Sequence, residues 1–266
     1  QIKLLDDKLQ FILGARFQDM DIKNRNTGVA YSEDKVSPSV GIVVKPWGED
    51  LSLYTSYVEG LSAGSTVDNA GDANDGVTFA PFQTKQYEIG AKYQHGSWLH
   101  TLAAYQIEKP STITSFYSTP VNGNTQITTD GGETESKGVE YGFSGKLIED
   151  LIVWGNLAYI DVEYTKGMNG KVDISGNTVI GQPELTAGLG LEYHLPQVEG
   201  FSVNTRANYV AKQYLDSTNT LELPDYTLFD IGAKYKTMIG GVDTTFRANI
   251  DNVMDEKYWA GVFNSG

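Results

Sequence analysis

Apolar and polar residues alternate along most of the chain, so that every second side chain belongs to the same face of an extended strand. Within residues 226–235, for example, Phe229 and Ile231 alternate with Asp230 and Gly232. A period of two residues is that of a β-strand, whereas an amphipathic helix repeats about every 3.6 residues. Eleven segments show this pattern, over residues 8–23, 35–45, 51–60, 85–95, 97–112, 134–147, 151–165, 182–194, 201–215, 226–236 and 242–253.

The predicted strands are long, and their connections alternate between short and long. Several exceed the five or six residues usual in soluble sheets, and tilted membrane-spanning strands need about 9–11. Short connections lie at 46–50, 94–97, 148–150, 195–200 and 238–241, and long ones at 24–34, 61–84, 113–133, 166–181 and 216–225. Tight turns at one end and long loops at the other are typical of outer-membrane barrels. We expect the long loops, which carry few apolar residues, to be mobile and to face the ligand.

Aromatic residues cluster at the ends of the predicted strands, on the apolar face, as the two interfaces of a bilayer favour. Near the short turns lie Tyr93, Tyr193, Phe201 and Tyr235, with Trp47, Trp98 and Trp154 close by. Near the long loops lie Tyr57, Tyr105, Tyr164, Tyr209 and Phe229. The pattern favours an all-β, antiparallel, up-and-down transmembrane barrel over a soluble β-sandwich. We expect Phe229, Ile231, Phe246 and Ile250 to face lipid, and Asp230, Lys234, Asp243 and Arg247 to face the interior.

Composition excludes several classes of function. The 266 residues carry a net charge of −14, which argues against nucleic-acid binding, because that requires clustered cations. The absence of cysteine rules out disulfides and thiolate metal sites, and no stretch approaches the ~20 apolar residues of a spanning helix. The three histidines, His95, His100 and His194, lie at or near short turns. We therefore expect no enzyme, no catalytic residues, no bound metal and no cofactor.

The acidic stretch at residues 68–75 (D-N-A-G-D-A-N-D) is the one candidate for a calcium loop. It lacks the bidentate glutamate that closes an EF-hand loop. We interpret it instead as a solvated acidic loop.

Several sequence blocks together resemble the C-terminal half of a TonB-dependent outer-membrane receptor, of the ferric-siderophore type in particular. They are S-P-S-V-G at 37–41, L-S-L-Y-T-S-Y at 51–57, T-K-Q-Y-E-I-G-A-K-Y at 84–93, S-K-G-V-E at 136–140, L-P-D-Y-T at 223–227 and N-I-D-N-V-M-D-E-K-Y at 249–258. Each block alone is weak, but their order and spacing over most of residues 35–260 are specific.

The resemblance implies a 22-stranded barrel filled by an N-terminal plug domain, in the outer membrane of a Gram-negative bacterium. Eleven strands are half of that number, and bacterial single-chain barrels have an even number. We therefore interpret residues 1–266 as the C-terminal part of the barrel, a multi-pass fragment without the plug or the TonB box. Its strands should pair only in sequence, with 8–23 and 242–253 at free edges.

The function that the resemblance implies is TonB-dependent uptake of ferric siderophores. The expected partners are the ferric siderophore, TonB through the missing N-terminal part, and outer-membrane lipid. The iron would arrive already chelated, and the candidate ligand contacts are Phe116, Tyr117 and Tyr214. The alternatives are a TonB-dependent receptor for cobalamin, haem or glycan, a soluble carbohydrate-binding β-sandwich, and an outer-membrane enzyme.

Overall fold

The chain folds into strands without a helix in the part that the structure, a computed structural model, describes, which is residues 1–23 and 30–262. The strands are β1 (Ile2–Leu4), β2 (Leu9–Lys23), β3 (Ala30–Val44), β4 (Leu51–Ser62), β5 (Phe82–His95), β6 (Trp98–Val121), β7 (Asn124–Ile148), β8 (Leu151–Lys166), β9 (Met168–Gly170), β10 (Val172–Asp173), β11 (Leu185–His194), β12 (Phe201–Val210), β13 (Gln213–Tyr214), β14 (Glu222–Leu223), β15 (Tyr226–Ile239) and β16 (Val242–Ile250). Among these residues, no helix is long and apolar enough to cross a membrane.

The long strands form one sheet, in which each pairs antiparallel with its neighbours along the chain. The eleven predicted segments coincide with β2 to β8, β11, β12, β15 and β16. The three-residue β1 was not predicted, because so short a segment cannot show alternation. The connection predicted at 24–34 lies partly outside the described residues, and β3 already begins at Ala30.

The sheet is open in the described part of the chain. There β16 pairs with β15 alone, and β2 pairs with β3 and with the short β1. The predicted meander with two free edges is confirmed. Because unpaired backbone groups are costly in a bilayer, these edges require further strands for closure.

The region 113–133, predicted as a loop, is instead the end of a tall hairpin. Strand β6 continues to Val121 and β7 begins at Asn124, so only Asn122 and Gly123 form the turn. Both residues have positive φ, 52° and 87°, as a type I′ turn requires. The Asn-Gly pair is the sequence signal for such a turn, and the expectation of a mobile loop was wrong here.

The sheet has two chemically different faces. An apolar face carries Ile89, Leu102, Leu189, Ile231 and Ile250, and a charged face carries Glu88, Glu140, Glu192, Lys234 and Arg247. The apolar side chains remain accessible, with 64% of Ile89, 43% of Ile231 and 58% of Ile250 exposed. A soluble sandwich would bury them in a core, so the structure favours the membrane-facing interpretation.

The apolar face ends at a well-defined level on the central strands. Gln106, Lys137 and Asp161 pair with one another across β6, β7 and β8, one step beyond Ala104 and Val139. Polar side chains at positions that face outward mark the point where the strands leave the hydrocarbon. Beyond this level the strands continue as an extension of the sheet.

Three of the aromatic residues that were predicted to lie at the bilayer interfaces are on the charged face instead. Tyr105 packs over Gly138, and Trp154 packs over Gly190, so closely that a Cβ atom on either glycine would lie within 2.5 Å of the ring. Tyr164 follows Trp154 along β8 at an even spacing and shares its face. The prediction was wrong for all three, and for Tyr105 and Trp154 the reason is that aromatic rings also cover glycines on a neighbouring strand.

Ion pairs on the charged face link neighbouring strands and strands one further apart. The Arg206 guanidinium donates to Asp230 from Nε and Nη2, at 3.0 and 2.7 Å. Lys234 donates to Glu192 across β12. Such pairs suit a hydrated interior, as the alternation of charge along the sequence indicated.

Candidate extracellular ligand site

The two ends of the sheet differ in the length of their connections, and this difference sets the orientation. At one end, two residues join β5 to β6, β7 to β8 and β15 to β16. At the other end lie the connections 63–81, 167–184 and 211–225 and the tip of the β6–β7 hairpin. Short turns are periplasmic and long loops extracellular in outer-membrane barrels, so a ligand from outside first meets the second end.

A pocket of about 500 Å³ lies at this extracellular end. It is enclosed by the β6–β7 hairpin, the β8–β11 connection and the β13–β14 hairpin. Its lining includes the aromatic rings of Phe116 and Tyr164, the aliphatic Ile174 and the polar Gln126 and Asp216. Apolar walls with a few polar groups are the usual features of a small-molecule site.

The hairpin and the β8–β11 connection meet at Phe116. Strand β9 pairs in parallel with β6 through Thr114 and Asn169, which sets Gly170 against the Phe116 ring. Gly170 has a φ of +65°, and a Cβ atom there would lie 3.2 Å from the ring. Glycine therefore permits both the backbone conformation and the close approach.

The β13–β14 hairpin is fixed to this wall by hydrogen bonds. The Asn169 side chain donates to the Ser217 hydroxyl at 2.9 Å, and Asn177 donates to the Ser217 carbonyl at 2.9 Å. Asn219 accepts from the Thr178 amide at 2.8 Å and donates to the carbonyl of the same residue at 3.0 Å. The pocket is thus bounded by segments that are far apart in sequence.

Asp216 organises the turn of the β13–β14 hairpin. Its carboxylate accepts from the Thr218 hydroxyl, from the Thr220 hydroxyl and amide, and from the Leu221 amide at 2.7 Å. These hydrogen bonds, that from Thr218 above all, lower the pKa of Asp216 to about 2. Asp216 is therefore a fixed anion at the pocket at physiological pH.

Asp72, in the acidic stretch 68–75, is buried with only 3% of its surface exposed. Burial by itself would raise the pKa of Asp72, but hydrogen bonds from Thr128, Asn74 and Gln126 outweigh it and lower the pKa to about 2. The interpretation of 68–75 as a solvated acidic loop was wrong for this residue, which joins the loop to β7.

The three predicted contact residues occupy different places. Phe116 lines the pocket and is 47% exposed. Tyr117 follows it in β6, where successive side chains point to opposite faces. Tyr214 lies apart, in a groove of about 400 Å³ that also contains Tyr159 and Tyr209. Contact with a ligand stays a prediction for all three.

The Tyr214 groove opens on the apolar side of the sheet, since Tyr159 and Tyr209 belong to that face. The Lys212 ammonium lies 5.8 Å from the centre of the Tyr214 ring and 2.8 Å from Glu222. A larger groove, of about 730 Å³, lies on the same face between Ile42, Ile89 and Val139. These residues belong to the membrane-crossing part of the sheet, below the level of Gln106, Lys137 and Asp161, which we call the belt. The groove therefore faces lipid and is not the ligand site.

Sequence reasoning missed Thr114, Gln126 and Asp216, which line the pocket, and Asp72 behind it. The Asn122-Gly123 turn signal, followed by β-branched residues at 125 and 127–129, would have revealed a strand, but no local pattern pairs residue 72 with residue 128.

Among the described residues, no group of three or more His, Asp and Glu side chains could hold a metal ion. His100 bonds the Tyr141 hydroxyl at 2.8 Å near the short turns, and His194 lies 3.3 Å from Glu192. The three histidines are remote from the extracellular pocket, where the arrangement is suited to binding.

The sequence matches one family model, described as TonB dependent receptor-like, beta-barrel, over residues 1–253. Among curated relatives, the ferrichrome receptor FcuA of Yersinia enterocolitica is 31% identical over all of this chain. The ferrichrome outer membrane transporter/phage receptor of Escherichia coli (strain K12) is 28% identical over 97% of it. The chain spans 35% and 34% of the length of these two relatives.

A solved structure shares both the fold and part of the sequence. BauA, the ferric preacinetobactin receptor of Acinetobacter baumannii, superposes with a TM-score of 0.83 and 34% identity, over 97% of this chain and 38% of that protein. The siderophore receptor PiuA of the same species gives a TM-score of 0.71 at 25% identity, again over 38% of its length. The predicted barrel architecture is confirmed.

Proposed function

The chain belongs to the family of TonB-dependent receptor-like β-barrels, and from this premise we propose that the receptor containing it takes up a ferric siderophore across the outer membrane. The single observation that carries the proposal is the similarity to siderophore receptors along almost the whole chain. The extracellular pocket supports it, because it combines aromatic walls with hydrogen-bonding groups at the end that faces the medium.

The proposed transport step uses the position of these residues at the extracellular end. A chelate would dock against Phe116, Tyr164 and the polar groups around them, while the belt anchors the wall in lipid. The iron would enter as cargo inside its chelator, so the receptor needs neither a resident cofactor nor catalytic residues. Energy from TonB would act through an N-terminal part that is outside this chain, as is general for the family.

The relatives differ in the siderophore that they are named for. The printed names of the relatives cover ferrichrome, metal-pseudopaline, ferrioxamine B and ferric preacinetobactin. These are several different chelators for receptors of comparable similarity. We therefore propose ferric siderophores as the substrate class, and a panel of siderophores identifies the particular chelate.

The test expresses the complete receptor in a Gram-negative strain that lacks its own siderophore synthesis and siderophore receptors. Iron-limited growth is scored with ferrichrome, ferrioxamine B, preacinetobactin and pseudopaline as sole iron sources, in the presence and absence of TonB. We expect growth with at least one chelate, and only with TonB. Rescue by haem alone, or by cobalamin in a cobalamin-dependent assay, would instead favour another ligand of the same receptor family.

A further inference from the structure

We propose that Asp72 is the positioning residue of the extracellular pocket: its buried carboxylate fastens the connection 63–81 to β7 and thereby holds Gln126 and Thr114 in the pocket wall. The inference rests on the proposed function for the pocket's use. The placement of the wall itself can be tested without any ligand.

The carboxylate of Asp72 is surrounded by donors. Oδ1 accepts from the backbone amides of Asn74 at 2.9 Å and Thr128 at 3.0 Å. Oδ2 accepts from the Thr128 hydroxyl at 2.6 Å and from Nε2 of Gln126 at 3.0 Å. Two of the three partner residues belong to β7, more than 50 positions away in sequence, so the carboxylate joins two separate segments.

The backbone strengthens the same junction. Ala73 donates to the carbonyl of Gln126 at 2.9 Å, and Thr125 donates to the carbonyl of Gly71 at 2.9 Å. The Asn74 side chain donates to the carbonyl of Thr128 at 2.7 Å. The segment around Asp72 is therefore docked along β7, like a short additional strand.

From this junction, two short paths lead into the pocket. Gln126, which Asp72 holds directly, is itself a lining residue. Thr128 lies 2.8 Å, hydroxyl to hydroxyl, from Thr114, a second lining residue. Thr114 pairs with Asn169 of β9, whose side chain donates to Ser217. A shift of Asp72 would therefore reach three sides of the pocket.

An amide cannot replace this carboxylate. All four hydrogen bonds to Asp72 are donated towards it, and the carboxylate offers lone pairs on both oxygens. In Asp72→Asn one oxygen becomes an NH₂ group, which opposes the donors of Asn74 and Thr128 or those of Thr128 and Gln126. The substitution keeps the shape of the side chain and removes the function that we assign to it.

The first measurement is amide hydrogen exchange in the complete receptor, purified in detergent, without ligand. In Asp72→Asn we expect exchange about tenfold faster both in 71–77 and in 125–129, since a charged hydrogen bond contributes that much. Asp68→Asn is the matched control, with the same loss of charge at an exposed position of the same connection. Thr128→Val, which removes only a hydroxyl, should accelerate the same two segments less.

The second measurement is the concentration dependence of uptake of ⁵⁵Fe-ferrichrome, or of the panel chelate that supports growth. A positioning role predicts a half-saturating concentration about tenfold higher in Asp72→Asn, an unchanged maximal rate per receptor, and no change in Asp68→Asn. Lower receptor abundance with an unchanged half-saturating concentration would mean a merely structural role and would overturn the proposal.

Exchange that accelerates in 71–77 alone would also overturn it, because Asp72 would then order only its own connection. If the wild-type receptor takes up no chelate of the panel, the proposed function fails. The exchange data still decide in that case whether Asp72 positions the pocket wall. Should Asp72→Asn fail to accumulate, the same two criteria are applied to Thr128→Val.

Discussion

The part of the sheet that crosses the membrane and the part that rises above it are stabilised in different ways. In the belt, the face on which a residue lies determines its surroundings: Ile231 and Ile250 face lipid, and Lys234 pairs with Glu192 on the other side. In the extracellular extension, Asp72 is held by Thr128, which is 56 positions away. In the belt, the face of the strand determines the surroundings of a residue. In the extension, a partner that is distant in sequence determines them.

Because of this difference, we expect substitutions to destabilise the two regions for different reasons. In the belt, the same change should be costly on one face and tolerated on the other, whatever its neighbours are. In the extension, the local sequence is a poor guide, since Asp68 and Asp72 belong to one acidic stretch and only Asp72 of these two is buried. The following predictions test that contrast, in order of decreasing effect.

The largest effect is expected for a charge in the belt. Ile231→Arg should reduce the free energy of unfolding by about 2–4 kcal/mol, the cost of a cation near the bilayer midplane. The measurement is denaturant unfolding of the complete receptor in phospholipid vesicles. Ala158→Arg, on the charged face opposite Glu140, is the control and should lose much less. Equal losses at both positions would remove the distinction between the faces.

A smaller effect is expected where a ring covers a glycine. Gly190→Ala would bring its Cβ to 2.2 Å from the Trp154 ring and should cost about 1–3 kcal/mol through overpacking. Gly60→Ala is the matched control, because the nearest atom to its Cβ would be 3.9 Å away. The same unfolding assay compares the two. An equal response would show that the indole readily moves aside.

Acid should release the connection 63–81 before it affects the belt. The pKa of Asp72 is about 2 in the fold against an ordinary 3.8, so the ionised group stabilises the junction above pH 3.8. That contribution, about 2 kcal/mol, is lost as the pH falls from 3.8 towards 2. An environment-sensitive dye at Val77→Cys should report the release as the pH falls from 3.8 to about 2.

Two variants test the source of this transition. In Asp72→Asn the dye should show the released state throughout the titration. Asp216→Asn should leave the signal at Val77 unchanged, because the carboxylate of Asp216 accepts hydrogen bonds from Thr218, Thr220 and Leu221, within its own hairpin. A transition that survives in Asp72→Asn would place its origin in another group.

The smallest effect concerns the two neighbouring aromatic residues of the hairpin. Phe116→Ala should raise the half-saturating concentration for uptake about tenfold, the loss expected for one aromatic contact. Tyr117→Ala, on the opposite face of β6, should raise it less if the ligand occupies the pocket described here. A larger effect at Tyr117 would move the contact surface to the other side of the hairpin.

Most of the sheet could be predicted from the sequence because alternation is a local property. The faces of Phe229, Asp230 and Ile231 can be predicted from a few adjacent residues, and the strand register confirms these assignments. Aromatic residues were less informative, since a ring suits the bilayer interface as well as a glycine on the next strand. Tyr105 and Trp154 were assigned to the wrong face for that reason.

The site was less predictable because its walls come from distant segments. Phe116 was selected as an aromatic residue in an expected loop, and it lies in the pocket, but in a strand. Tyr214 was selected by the same rule and lies in another groove. Asp72 carried no local sign of burial, because its donors are supplied by β7.

The height of the β6–β7 hairpin also has an electrostatic consequence. Strand β6 has 24 residues, of which about 9–11 suffice to cross the hydrocarbon. Thr114 and Phe116 lie beyond Gln106 on the same strand. A strand rises about 3.3 Å per residue and is tilted by about 45°, so these residues lie roughly 20 Å above the belt. That is more than twice the screening length of about 8 Å at physiological ionic strength. A charged ligand at the pocket would therefore experience the field of Asp216 and its neighbours, while counterions screen the charge of the membrane surface below.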